Sequence, residues 1–96
     1  MAVNLIAATV PDSPGQPTML ESDKSFVTIG WTSAYNGGDD IDDYEVDWKI
    51  DTNDVYSVIK STNNLNYFKV GGLQKGRLYH FRVRARNDVG LSESTA

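Results

Sequence analysis

The sequence predicts an all-β fold in which two antiparallel sheets pack face to face. Segments rich in valine, isoleucine and aromatic residues alternate with short clusters of glycine, asparagine, aspartate, serine and proline. No segment sustains the 3.6-residue apolar period of an amphipathic helix. The 96 residues, 40% of them hydrophobic, fit one domain with a core of its own. Short alternating strands at this spacing are typical of a two-sheet sandwich.

The first half of the chain contains three predicted strands. Residues 18–21 form a weak strand, and residues 26–31 form a clearer one with apolar side chains at alternate positions. Residues 41–51 form the third, with Glu45, Asp47 and Lys49 on its outward face. The inward side chains of the second and third strands are Val27, Ile29, Trp31, Tyr44, Val46, Trp48 and Ile50. The third strand is therefore predicted to bury one face and expose the other.

The second half contains two weak strands, residues 55–60 and 67–70, and one strong strand, residues 78–87. In the strong strand the inward side chains are Tyr79, Phe81, Val83 and Ala85, and the outward ones are His80, Arg82, Arg84 and Arg86. Turn residues separate the strands at positions 36–38, 51–54, 62–64 and 74–76.

Several short motifs follow one another in a fixed order along these strands. They are Pro14-Gly-Gln-Pro17, Val27-Thr-Ile-Gly-Trp31, Asn36-Gly-Gly38, Tyr44-Glu-Val-Asp-Trp48, Val70-Gly-Gly-Leu73, Tyr79-His-Phe-Arg-Val83 and Gly90-Leu-Ser92. In this order and spacing they resemble the fibronectin type III module, over residues 11–94. The resemblance implies an immunoglobulin-like two-sheet antiparallel sandwich. It also implies that Trp31 is the central core tryptophan, and that the Tyr79 hydroxyl bonds a nearby backbone group as a tyrosine corner.

The two ends of the chain depart from the family's pattern. The family's last strand follows the turn at residues 90–92, but this sequence stops at Ala96. Residues 11–96 are therefore expected to form a fibronectin type III domain that lacks most of its last strand. Residues 1–10 look like the last strand of a preceding module or an N-terminal extension. Together these features predict a piece of a tandem array.

A missing last strand would leave an open edge beside residues 78–87, which could accept an added strand. Residues 11–17 reach only about 25 Å, less than the roughly 33 Å of a ten-residue strand, so completion by residues 3–10 of the same chain is disfavoured. We expect a homo-oligomer by N-terminal strand exchange, or else residues 1–10 are disordered or pack elsewhere. The residues predicted to take part in the exchange are Val3, Leu5, Ala7, Arg82 and Arg84.

By the resemblance, three loops meet at one end of the sandwich: residues 33–40, 61–66 and 87–91. Loops on a rigid scaffold commonly carry binding residues. The predicted protein-binding residues are Tyr35, Asn36, Asp39, Asp40, Asn87, Asp88 and Val89. The sequence does not identify the protein partner. It contains no Arg-Gly-Asp tripeptide and no Asn-x-Ser/Thr sequon.

The charge and the apolar segments limit the possible partners. A formal net charge of −4 argues against binding to nucleic acid or anionic lipid. The stripe of His80 and three arginines could bind a polyanion, but pairing with Glu45 and Asp47 on the neighbouring strand is the favoured interpretation. The apolar residues 1–10 are shorter than the ~20 residues of a membrane span and lack a basic start, so no membrane insertion and no signal peptide is predicted.

The sequence offers no constellation for catalysis, cofactor or metal. It has one histidine, no cysteine and none of the standard nucleophile, zinc or phosphate-loop motifs. Six carboxylates lie within residues 39–47, but their spacing does not match a calcium loop. We therefore predict a non-catalytic protein-interaction or spacer module of a larger protein. The alternatives are an accessory domain of an extracellular enzyme or a specific adhesion or receptor-binding module. An extracellular or ectodomain location is favoured over a cytoplasmic one.

Overall fold

The computed structural model describes residues 7–51, 55–61, 63–74 and 76–95. Its strands, in chain order, are β1 (Thr18–Ser22), β2 (Val27–Gly30), β3 (Asp43–Ile50), β4 (Ser57–Ser61), β5 (Tyr67–Val70) and β6 (Tyr79–Arg86). Across these ranges we find no helix with the length and apolar character that a membrane crossing requires.

The strands form two antiparallel sheets of three strands each. One sheet has the order β1-β2-β5 and the other the order β4-β3-β6. The longest pairing joins β3 to β6 and runs from Asp43 opposite Arg86 to Ile50 opposite Tyr79. The predicted all-β class and two-sheet antiparallel sandwich are thus confirmed.

The core lies between the two sheets and is built from the inward residues of β2, β3 and β6. Its buried members are Ile29, Trp31, Tyr44, Val46, Val83 and Ala85. Trp31 contacts Tyr44 edge-on, with ring centroids 5.5 Å apart, and the Tyr44 hydroxyl shares a 2.7 Å hydrogen bond with Ser33. The central tryptophan implied by the resemblance is in place, and its neighbour reaches a polar partner at the end of the sandwich.

The opposite end of the sandwich is closed by Tyr79. Its hydroxyl accepts a 2.7 Å hydrogen bond from the Gln74 backbone N–H. Gly72 precedes this contact with a φ of 70°, a conformation that L-residues with side chains seldom adopt. The predicted tyrosine corner is therefore present, and it fixes the loop that leads into β6.

The free edge of β6 differs from the expected open edge, because residues 91–95 cover half of it. The backbone N–H groups of Ser92 and Thr95 donate to the carbonyls of Ala85 (2.8 Å) and Val83 (3.0 Å). In return, the Ala85 and Val83 N–H groups donate to the side-chain hydroxyls of Ser92 and Thr95, each at 2.9 Å. Hydroxyl oxygens thus replace the carbonyl acceptors of a regular strand.

Arg82 and Arg84 were predicted to pair with an added strand at this edge, but their backbone groups point the other way. Hydrogen-bonding direction alternates along a strand, and Val83 and Ala85 face the free edge. The backbone groups of Arg82 and Arg84 therefore face β3, where these residues lie opposite Asp47 and Glu45. The edge positions that remain uncovered by the described residues belong to Tyr79 and Phe81.

Candidate functional site

Three loops meet at one end of the sandwich, as predicted, and we call this the loop end: residues 33–40, 63–66 and 87–91. The Asp88 backbone N–H donates to Asp39 Oδ2 at 2.9 Å, which joins the first and third loops. The Asn66 side-chain amide donates to Ser33 Oγ at 3.0 Å, which joins the first and second. Strands β2, β3, β5 and β6 all begin or end here, so a rigid core carries the surface.

Asn87 lies at the centre of the loop end and is 2% exposed. Its Nδ2 donates to the carbonyls of Thr9 (2.7 Å) and Asn36 (2.9 Å). Its Oδ1 accepts from the N–H groups of Val89 (2.9 Å) and Gly90 (3.2 Å). These four bonds use both donors and both acceptor positions of the amide. Asn87 was predicted to contact a partner, but the structure buries its side chain, which instead holds the loop end together.

Most of the other predicted binding residues lie on the surface of the loop end. Tyr35 is 60% exposed and Val89 is 52% exposed. Asp40 and Asp88 are also exposed, whereas Asn36 and Asp39 are half-buried. Beside Tyr35 an open groove of about 670 Å³ runs past Ser33, Ile41 and Asn64. The structure brings these residues together, and their role in binding stays a prediction.

Residues 8–15 form a further part of the loop end that the sequence did not reveal; we call them the strap. Backbone N–H groups of the strap donate to carbonyls in and just before the first loop: Thr9 to Gly37 (2.8 Å), Asp12 to Tyr35 (2.9 Å) and Gly15 to Thr32 (2.8 Å). The strap therefore packs on its own domain, whereas strand exchange by the preceding residues stays a prediction. Val3 and Leu5 of the proposed exchange lie outside the described residues, and Ala7 is exposed.

The paired glycines of the first loop make room for the strap. Gly37 and Gly38 have φ values of 80° and 90°, and Gly38 N–H donates to Asn36 Oδ1 at 2.9 Å. A Cβ atom on Gly37 would collide with the Thr9 carbonyl oxygen. The sequence signalled a tight turn here, but a glycine pair can equally mark a close approach of two backbones.

The loop end and its flanking residues are strongly acidic. Residues 7–15, 33–42, 63–66 and 87–91 contain no Lys or Arg, and their acidic residues are Asp12, Asp39, Asp40, Asp42 and Asp88. A hydrogen bond with the Asp88 side chain, aided by partial desolvation and by repulsion from nearby carboxylates, raises the pKa of Asp42 above its usual value. Among the described residues, no group of three or more histidine, cysteine or acidic side chains is arranged to hold a metal ion.

The basic stripe on the outward face of β6 is paired with acids across the sheet. Arg82 Nε lies 2.9 Å from Asp47 Oδ2, and Arg84 lies 3.6 Å from the same oxygen. Arg86 contacts Asp43 and Glu45 at 3.1 Å and 3.4 Å. Because opposite charges alternate across the strands, this face does not present the unbalanced positive field that a polyanion would need.

Asp47 departs from the predicted pattern, because it points outward and is nevertheless only 2% exposed. The side chains of Arg82 and Arg84 lie on either side of it, and Arg82 in turn stacks on the Tyr56 ring at 3.9 Å. Two atoms of this cluster, Asp47 Oδ1 and Arg84 Nε, are buried with no partner among the described residues. Asp47 is thus buried on the outward face of β3, where Arg82 and Arg84 both contact its carboxylate.

The His80 side chain pairs with Asp51 at the surface of the sheet. Its Nε2 lies 3.1 Å from Asp51 Oδ1, and its side chain is 40% exposed. An exposed acid–histidine pair can exchange protons with water, but nucleophilic catalysis also needs a positioned serine, threonine or cysteine. The geometry therefore supports a hydrogen-bonded contact between the two side chains at the sheet surface.

Comparison with known proteins identifies the family to which the fold is similar and gives two relatives. The family model for the fibronectin type III domain matches residues 12–96. The M-protein of striated muscle from Gallus gallus is 35% identical over 94 residues, which cover 93% of this chain and 6% of that protein. The smooth-muscle myosin light chain kinase of Gallus gallus is 34% identical over 93 residues, covering 95% of this chain and 5% of the kinase.

A solved structure of related domains has a similar fold. Domains A168–A170 of titin superpose with a TM-score of 0.86 at 28% identity, over 93% of this chain and 30% of that one. By contrast with its own near-complete coverage, the chain spans only 5–8% of the length of the curated relatives that it matches.

Proposed function

Because the chain belongs to the fibronectin type III family, we propose that it acts as a non-catalytic protein-interaction or spacer module within a longer multidomain protein. The observation that carries this proposal is the match of nearly the whole chain to about one-twentieth of a relative such as the M-protein. A unit that recurs inside much longer chains, with its own core and without a catalytic constellation in its described residues, suits a modular role.

The loop end supports the interaction part of the proposal. It presents the exposed side chains of Tyr35 and Val89 on a framework held by the hydrogen bonds of the buried Asn87. Exposed aromatic side chains on rigid supports supply contact area at low entropic cost, which is typical of binding surfaces. The acidic residues around them favour a basic partner surface.

A replacement experiment separates the two roles. In the longer protein, the module would be exchanged for an unrelated β-sandwich domain of similar length, or given the double substitution Tyr35→Ser with Asp88→Asn. If the module binds a partner through the loop end, both changes abolish partner binding. If it is a spacer, both leave the protein's function intact, and only deletion of the module disturbs it. Catalytic turnover by the isolated, folded chain would refute the proposal.

The relationship to a myosin light chain kinase favours one further candidate, an accessory domain in an enzyme-containing chain. In that case removal of the module would change the enzyme's activity or targeting, while the isolated module would have no activity of its own. An extracellular location and a specific adhesion role both stay predictions. Measuring cell-surface accessibility of an epitope tag in the module would test the location.

A further inference from the structure

We propose that Asn87 is a lock that fastens the strap to the loop end, so that residues 8–12 are a fixed part of the surface presented there. In this chain the Asn87 amide joins three segments that are distant in sequence: the strap, the first loop and the β6 end.

The geometry of the amide makes the lock specific. Only a side chain with two adjacent donors and one acceptor group can bond the Thr9 and Asn36 carbonyls while also receiving the Val89 and Gly90 N–H groups. Aspartate would lack the donors, and alanine would leave two carbonyls and two N–H groups without this partner.

The strap fits its position closely along the first loop. The Thr9 N–H reaches the Gly37 carbonyl at 2.8 Å, and the Thr9 carbonyl receives the Asn87 donor at 2.7 Å. Val10 lies against Gly90, where its Cγ1 would be 3.3 Å from an added Cβ atom. Both backbone groups of Thr9 are thus bonded, and the next side chain covers the third loop.

The consequence is a composite surface at the loop end. Ala8 lies beside Gly38 with the Tyr35 hydroxyl on the same glycine, and 41% of Val10 is exposed next to the third loop. A partner that covers Tyr35 and Val89 would therefore contact the strap as well. This consequence builds on the proposed function, whereas the lock itself concerns only the folded chain and can be tested without a partner.

The experiment compares the wild-type chain with Asn87→Ala and Asn66→Ala by NMR. Asn66 is the matched control, since its amide also bonds at the loop end but donates to Ser33 and does not touch the strap. We expect backbone order parameters near ~0.85 for residues 8–12 in the wild type and in Asn66→Ala, and below ~0.6 in Asn87→Ala. Exchange of the Thr9 and Asp12 amides should accelerate about tenfold or more in Asn87→Ala alone.

A second variant keeps the test decisive if Asn87→Ala does not fold. Gly37→Ala leaves Asn87 in place but puts a methyl group against the Thr9 carbonyl, so it should release the strap in the same way. A strap that is already disordered in the wild type, or that stays ordered and protected in Asn87→Ala, would overturn the lock. Equal loosening by Asn66→Ala would do so too, because it would show a general weakening of the loop end. None of these outcomes bears on whether the module binds a partner.

Discussion

Trp31 in the core and Tyr79 at the end opposite the loop end stabilise the sandwich in different ways. Trp31 is 6% exposed and packs against Tyr44, so Trp31→Ala should lower the free energy of unfolding by about 3–5 kcal/mol through a large cavity. Tyr79→Phe removes only the hydrogen bond from Gln74 and should cost about 1 kcal/mol. Urea unfolding followed by fluorescence of Trp48, which both variants retain, would measure both changes. A smaller loss for Trp31→Ala than for Tyr79→Phe would contradict this account of the core.

Asp47 and Asp43 form cross-strand ion pairs that differ in burial. This difference predicts how much each pair contributes to the free energy of unfolding. The Asp47 side chain is 3% exposed and serves two arginines, so Asp47→Ala should destabilise the fold by about 3 kcal/mol, because two cations lose their partner. The Asp43 side chain is 25% exposed, and Asp43→Ala should cost under ~1 kcal/mol. Thermal unfolding of the two variants at low and high salt would test the order. Similar losses of stability in the two variants would mean that burial does not determine how much these ion pairs stabilise the fold.

Asp42 predicts a pH dependence of stability on the acidic side of neutrality. Contact with Asp88 raises the pKa of Asp42 in the folded state, so the folded chain binds its proton more tightly than the unfolded chain does. The stabilisation from this group is therefore complete below its ordinary pKa, and it is lost as the pH rises through the raised value. Relative to Asp42→Asn, the wild type should lose stability over that window. Melting temperatures measured from pH 3 to pH 7 on both proteins would show it, and parallel curves would refute it.

At the scale of elements, the alternation of side chains predicted most of the fold. It assigned the faces of β3 and β6 correctly, because one-sided burial leaves a period of two in the sequence. It could not predict the cover over Asp47, since a period identifies a face but not which long side chains will fold across it. The strap was missed for a related reason. Residues 8–15 have no period, and their partners, residues 32–37 and Asn87, are distant in the chain.

The segment that covers β6 gives a prediction at the same scale. Ser92 and Thr95 supply hydroxyl acceptors to the N–H groups of Ala85 and Val83. The double substitution Ser92→Ala with Thr95→Val keeps the size of the side chains but removes both acceptors. We expect a loss of about 1–3 kcal/mol for each buried N–H left unpaired. Amide exchange of Ala85 and Val83 should accelerate, whereas exchange of Val46 in the middle of β3 should follow global unfolding alone. Unchanged exchange at both sites would show that the hydroxyls are dispensable.

For the whole molecule, the uncovered part of the β6 edge limits where a strand from another copy could pair. Residues 91–95 already cover the backbone at Val83 and Ala85, so a donor strand could pair only beside Tyr79 and Phe81. There the seam between the sheets is a groove of about 600 Å³ lined by Met19, Val27 and Phe81, among others. The strap is bonded to the loop end of its own chain, which leaves residues 1–7 as the donor. Exchange is thus restricted to a short segment and to half of an edge.

Solution mass across a concentration series tests this restricted exchange. Strand exchange predicts a mass that rises from 10.6 kDa towards twice that value as concentration increases. Leu5→Lys should abolish the rise, because it places a charge on the apolar face that would enter the seam, while Asn4→Lys adds the same charge on the opposite face and should have a smaller effect. A mass of 10.6 kDa at all concentrations for the wild type would exclude exchange. Equal effects of the two lysines would attribute the association to net charge, since a specific strand pairing must distinguish the two faces of the donor.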